Sequence, residues 1–427
     1  MNIQPTEAER LLDRFLARLQ PGPPLPPPPP PPPDAPGWRA LDALAEAQDL
    51  HGYLRAAVAL SSMAPPPDLA ATWRRRDWED LGRGQLMRRE LLAALDVLGA
   101  ADIPVILLKG AALCAARDED WARRPMGDLD LLVREADAVR AVQALLAAGY
   151  HLVLGHDELV ERRRGPDLAA LVAFHAQVTL LAPQPSGVVI DLHWHLYDRP
   201  AYRYGQQMAG IWARAQAADL DGRPVRLLSA ADMTLHLAGH RAIHHPEWPA
   251  LAGRWRYDLA VWLQTHQGLD WAGLADEARR MWLLAPLREA LTLLPSWLAL
   301  PPAASAAVAA RSSSRAERRA LAWAARPRPG QRHKALDQLR HLPGWRLRLR
   351  YVAAKLLPSP AYMRRRHAGR WPAGVSCSAC IWRGCCDRGA GHSRSRFAVT
   401  YRSWLPLWEP TPNHLSDLSA MVTARDP

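Results

Sequence analysis

Lysine is almost missing from this chain: Lys109, Lys334 and Lys355 are the only three among 427 residues, and arginine supplies nearly all the positive charge. A lysine set beside a glycine at 109–110 is therefore mildly informative. Long hydrophobic runs are missing as well. Although 49% of the residues are apolar, no window approaches the roughly twenty uncharged apolar residues that a membrane helix needs. Neither a span nor a membrane partner is expected. Met1–Leu19 carries Glu7, Glu9 and Asp13, which does not suit a secretory signal, so the expected location is the cytoplasm. Cysteine is scarce: Cys114 stands alone, and the other four crowd at Cys377, Cys380, Cys385 and Cys386. A zinc ribbon needs two knuckles joined by a longer arm, so this cluster is not read as a metal site.

Charge is unevenly spread. From Arg311 onward there are 23 Lys+Arg against 6 Asp+Glu, whereas residues 1–310 hold 31 against 36. The net +12 thus belongs to the C-terminal quarter. Its arginines scatter among proline, alanine and glycine without a recognisable reading motif, so nucleic acid is not expected as a partner.

The length allows two or three domains. Residues 1–19 read as an amphipathic helix with Leu11, Leu12, Phe15 and Leu19 on one face. PGPPLPPPPPPPPDAPG at 21–37 reads as polyproline II. It is taken as a spacer closing a first segment, 1–37, in preference to a ligand for an SH3-type domain. Residues 38–98 read as helical, with Ala40–Met63 and Asp68–Leu98 separated by prolines at 65–67. Helix and strand signals alternate over 99–200, a helical region follows over 201–300, and 301–369 is a basic helix and loop region. Residues 370–427 show no periodicity and are expected to be a poorly ordered tail. The fold class expected is α+β: a small mixed sheet flanked by N-terminal and C-terminal helical regions.

Within 99–200, Val105–Leu108 and Leu129–Val133 read as buried strands, with further strands near Tyr150–Leu154, Ala176–Ala182 and Val188–Leu196. PQPSG joins the last two and signals an antiparallel hairpin. Asp128 and Asp130 are two residues apart on a strand and project to one face. Like charges held so close call for a cation between them. Asp191, among apolar neighbours in VVIDLHWHL, is a candidate third carboxylate, because burying it alone would be costly. Lys109 and Gly110 follow a strand and open a helix, the setting in which backbone N–H groups and the positive helix end hold phosphate. His193 shares the Asp191 face and is read as bordering an acceptor pocket. His236, His240 and His244 repeat every four residues along one helix face and read as packing groups. Arg254 and Asp258, also four apart, read as a helix-surface ion pair.

These residues resemble a known family. LLKGAAL, RRPMGDLDLLV, a helix ending AAGY, and VVIDLHWHL are similar to the uncharacterised nucleotidyltransferase family of the DNA polymerase β-like superfamily. The resemblance covers roughly residues 40–300. It implies that Asp128, Asp130 and Asp191 are catalytic metal ligands for two Mg²⁺ ions, with Mn²⁺ as the alternative. Lys109 and Gly110 would then hold the phosphates of a nucleoside triphosphate such as ATP. The implied reaction moves a nucleoside monophosphate to a hydroxyl of a small-molecule, sugar or peptide acceptor and releases pyrophosphate. The alternative is a non-catalytic nucleotide-binding or protein-interaction module on the same fold.

Overall fold

The computed structural model describes residues 6–19, 34–61, 63–117, 121–153, 161–162, 165–204, 208–244, 252–295, 297–326, 331–359 and 362–363. The proline run up to residue 33, His245, the four clustered cysteines and the segment 370–427 lie outside them. Met1–Arg366 form one compact unit; the other, His367–Pro427, falls outside the described residues.

Four helices come first: α1 (Glu7–Ala17), α2 (Ala35–Ala47), α3 (His51–Ala59) and α4 (Pro67–Ala100). A capping box starts α1: the Glu9 amide donates to Thr6 Oγ1 at 3.2 Å, and the Thr6 amide donates back to Glu9 Oε2 at 2.6 Å. Asp34 caps α2 by accepting from the Gly37 amide at 2.8 Å. Ala35–Gly37, expected to end the spacer, are therefore helical. The helix expected over 40–63 is two helices, because Asp49 adopts a left-handed φ of 53° and the chain turns there. Leu12, Phe15, Leu41 and Leu54 share a core with Trp73 of α4 and with Tyr257 and Val261.

The middle of the chain runs β1 (Ile106–Leu107), α5 (Lys109–Ala116), β2 (Asp128–Leu132), α6 (Ala138–Ala147) and β3 (His151–Val153). After a separate two-stranded pair, β4 (Glu161–Arg162) and β5 (Gly165–Pro166), come α7 (Leu168–Phe174), β6 (Gln177–Leu181) and β7 (Val189–His193). Two short helices, α8 (Pro200–Arg203) and α9 (Met208–Arg214), lead to β8 (Gln216–Leu220) and β9 (Arg223–Leu227). Seven of these strands form a mixed sheet in the order β3-β6-β7-β2-β1-β9-β8. The expected hairpin is the antiparallel β6–β7 pair, while β2–β7 and β1–β9 are parallel. The β8–β9 hairpin was not anticipated, although its Asp221-Gly222 turn, with φ of 53° and 78°, has the two left-handed residues of a type I′ turn.

The sheet has two chemically distinct faces, set by strand alternation. Val178, Leu180, Ile190, Leu192, Leu129 and Leu131 are buried on one side. Gln177, Thr179, Asp191, His193, Asp128 and Asp130 occupy the alternate positions. The remaining elements are helices: α10 (Ala230–His244), α11 (Ala252–Thr265), α12 (Trp271–Arg280), α13 (Leu284–Thr292), α14 (Pro302–Ala309), α15 (Arg315–Ala324), α16 (Gln331–His341) and α17 (Trp345–Leu356). The fold is α+β, a mixed sheet flanked by helices. Among the described residues, no helix is long and apolar enough to cross a membrane.

Two glycines let α3 and α4 close on the segment that leads into β2. A Cβ at Gly52 would overlap the Arg123 carbonyl, and one at Gly84 the Trp121 carbonyl. Backbone cannot step aside as a flexible side chain can. Gly84→Ala is therefore expected to lose about 1–3 kcal/mol through overpacking, despite alanine's better helix propensity. A urea midpoint equal to or above the wild type's would show that the segment yields.

Candidate active site

The register of β2 and β7 builds the centre of the site. Asp130 lies directly opposite Asp191 on paired parallel strands, so both carboxylates leave the same face at the same level. Two residues on along β7, His193 points the same way, with Nε2 at 2.9 Å from Asp130 Oδ1. One ligand atom from each of Asp130, Asp191 and His193 fall within 4.8 Å of one another. Asp128 shares the strand and the face of Asp130 but lies outside that tight group.

Neighbours orient every member. Asp191 accepts from Thr179 Oγ1 at 2.6 Å and Gln177 Nε2 at 2.8 Å, both from β6. Lys109 Nζ meets Asp130 Oδ1 at 2.6 Å. Lys109 itself has a φ of 45°, left-handed and strained for a side-chain-bearing residue, at the sharp turn from β1 into α5. Such strain persists where surrounding contacts fix the geometry, and the Asp130 pair is one such contact.

Electrostatics follow from this crowding. The neighbouring Asp130 charge, then burial, push the Asp128 carboxyl up to about 6. Burial alone would raise Asp130 too, but the Lys109 ammonium and His193 hold it well below the usual carboxylate range. Burial would lower Lys109, yet Asp130 and Asp128 outweigh it and keep the amine charged. Two carboxylates and an imidazole within reach of one point suit a divalent cation. The Lys109 ammonium already supplies part of the positive charge those acids need.

The site opens on a cleft of about 970 Å³, counting its open mouth. Its near wall is Lys109, Gly110, Asp128 and Asp130; its far wall is His240 and Arg241 of α10 with Arg254, Trp255 and Asp258 of α11. His193, read from sequence as bordering an acceptor pocket, is 3% exposed against Asp130 and is not among the cleft-lining residues. Gly110 also has a neighbour that the sequence did not suggest. A Cβ there would overlap Arg124 Nη1 and lie 2.7 Å from Met126 Sδ, so the glycine makes room for the Arg124 guanidinium.

Arg124 was missed at the sequence level. It donates through Nε and Nη2 to both oxygens of Asp258, at 3.2 and 2.8 Å, with both side chains buried. The surface pair expected between Arg254 and Asp258 does not form. Asp258 turns inward to Arg124, while Arg254 donates to the Pro125 carbonyl at 2.9 Å and meets Asp49 at 3.3 Å. The cause is burial: this face of α11 packs on the segment before β2, so its polar groups take tertiary partners. The only trace in sequence was the arginine four residues ahead of Asp128.

Of the three histidines on α10, His236 is 1% exposed, and neither ring nitrogen has a hydrogen-bond partner among the described residues. Its ring sits against Tyr197 and His240, at 5.8 and 6.0 Å. Burial pushes its pKa down to about 3, from an ordinary value of 6.5. As pH falls through 6.5 toward 3, the unfolded chain takes up a proton that the native site refuses. His236 therefore removes roughly 1.4 kcal/mol of stability per pH unit across that window. Asp128 acts in the opposite sense between its raised value near 6 and the ordinary 3.8, so only the difference between variants isolates the histidine. In chelator, wild type minus His236→Leu is expected to lose roughly 2–3 kcal/mol between pH 6.5 and 4.5 by urea unfolding. Parallel curves would show that His236 titrates normally.

A mixed sheet that presents in-register carboxylates beside a strand–lysine–glycine–helix turn defines an α+β protein with a candidate metal site at its centre. The chain belongs to the uncharacterised nucleotidyltransferase family, whose model matches residues 34–299. No match to a curated protein is found.

Proposed function

We propose that this protein is a metal-dependent nucleotidyltransferase that moves a nucleoside monophosphate from a nucleoside triphosphate to a hydroxyl of a small-molecule, sugar or peptide acceptor. The observation that carries the reading is the Asp130–Asp191 register, with His193 beside it and Lys109 lining the cleft together with Asp128 and Asp130. Asp128, Asp130 and Asp191 would hold the ions, Mg²⁺ in the first instance and two in number, with Mn²⁺ as the alternative. Bound there, a divalent ion would supply charge stabilisation for the phosphates and acidify the acceptor hydroxyl.

The chain's own groups account for the rest. Lys109 and the amides that open α5 would hold the β- and γ-phosphates, with the helix end favouring their charge. Thr179 and Gln177 fix the Asp191 carboxylate, which would take the acceptor's proton. The acceptor oxygen then bonds to the α-phosphorus, and the bond to the pyrophosphate oxygen breaks in line. Lys109 also orients Asp130, through the 2.6 Å contact of its ammonium with Asp130 Oδ1. Arg241 and Arg254 on the far wall would confront the anionic ligand across the cleft.

The test is to incubate the protein with each nucleoside triphosphate and Mg²⁺ and follow pyrophosphate release, with isothermal titration of the same nucleotides. Metal-dependent binding and release support the reading. Tight nucleotide binding with no pyrophosphate across a broad acceptor panel would favour a binding module instead.

A further inference from the structure

The last described helix, α17, is apolar on two opposite sides. Its inner side is orthodox: Leu347, Tyr351 and Ala354 pack with Phe174 of α7 and Leu342. The outer side is not. Trp345, Leu349 and Leu356 are spaced by four and seven residues, which aligns them in one stripe along a helix. They are 66%, 57% and 71% exposed, and Leu357 just beyond is 68% exposed. Single exposed leucines are ordinary, whereas a continuous stripe headed by a tryptophan marks a contact surface.

Cations frame this stripe. Arg346 and Arg348 lie on its two sides near the start and Lys355 near the end, all exposed, and Trp345–Leu357 contains no acid. The Arg346 guanidinium sits 5.5 Å from the Trp345 ring, and Arg348 is oriented by donating to the Leu342 carbonyl at 3.0 Å. Arg350, on the inner flank, pairs with Asp167 and is tied to the body of the protein.

We infer that the outer face of α17 docks on an anionic lipid surface, with the stripe in the acyl–headgroup boundary and the flanking cations on lipid phosphates. The combination decides between partners. A nucleic acid would satisfy the cations but leave the leucines in water, since its binding is dominated by phosphate contacts. A bilayer interface satisfies both: tryptophan favours the headgroup level, leucine the acyl boundary, and arginine or lysine the negative surface. The stripe from Trp345 to Leu356 is about 16 Å long at helical rise, enough for an interfacial contact and far too short for a span. An interfacial helix needs no run of apolar residues long enough to span a bilayer. The basic chain after Arg311 adds attraction of the same sign.

Flotation of the full chain with vesicles tests this, using phosphatidylcholine alone and phosphatidylcholine mixed with phosphatidylglycerol. The wild type is expected to partition at least about tenfold more strongly onto the anionic vesicles, and to lose most of that near 0.5 M salt. The triple variant Trp345→Ser, Leu349→Ser, Leu356→Ser and the double variant Arg346→Glu, Lys355→Glu should each fall by about tenfold or more at an unchanged thermal midpoint. Either variant suffices if the other fails to fold. Undiminished flotation of a folded triple variant would overturn the proposal, since the attraction would then be electrostatic alone. Absence of wild-type flotation would also overturn it. So would a wild-type dimer in sedimentation velocity that the triple variant converts to monomer, which would make the stripe a self-contact.

Discussion

Asp130→Asn should abolish metal-dependent pyrophosphate release, by at least about a thousandfold if the ion stabilises the transition state by some 4 kcal/mol. The size of the effect follows from position. Asp130 is 3% exposed, and its Oδ1 takes the Lys109 ammonium at 2.6 Å and His193 Nε2 at 2.9 Å, while it lies in register with Asp191. An asparagine there would withdraw a formal charge from a metal bound by the group and leave Lys109 without its buried counter-charge. Relief of repulsion should also return Asp128 from about 6 toward the ordinary carboxylate range. Asp191→Asn separates chemistry from folding, because its carbonyl oxygen can still accept from Gln177 Nε2 while its amide donates to the Thr179 hydroxyl, which can accept as well as donate. It should keep the thermal midpoint and lose turnover and metal affinity together. Retention of even a tenth of wild-type release in Asp130→Asn would remove this residue from the reaction.

The largest loss of stability should come from Arg124→Ala. Arg124 and Asp258 are 8% and 7% exposed in their side chains, and burial, which alone would lower the Arg124 pKa, is outweighed by Asp258. Removing one partner of such a pair strands the other charge and costs about 3–5 kcal/mol. The cavity left beside Gly110 adds to that. Replacing both partners by apolar groups of similar volume, Arg124→Met with Asp258→Leu, should recover most of the loss, as a double-mutant cycle in urea would show. Equal losses in the single and double variants would mean that packing, not the charge pair, carries the stability.

Residues differ in how far ahead they could be read. Asp128, Asp130 and Asp191 stood out because an acid among apolar strand neighbours breaks a two-residue pattern, and alternation then dictates which acids share a face. Lys109–Gly110 was marked by strand and helix signals on either side. Thr179 and Gln177 were silent: a polar residue on the exposed alternation of a hairpin looks like any solvated position until the partner strand's register is known. Arg124, Arg241 and Trp255 were equally silent, and His240 and Arg254 read only as a packing group and half of a surface pair; all five are brought together at the cleft by tertiary packing. The Asp221-Gly222 turn is a different case, since its hairpin signal was present and went unread.

By itself the sequence determined the class of the fold, the strands that carry the acids and the face on which each acid lies. These depend on periodicity and on the cost of burying charge, which are local properties of the chain. Only the tertiary structure decided that β2 lies parallel to β7 with Asp130 opposite Asp191, that Asp258 turns from Arg254 to Arg124, and that residues of α10 and α11 line the cleft. Register and helix docking come from packing summed over many distant residues, and no short stretch of sequence contains that sum.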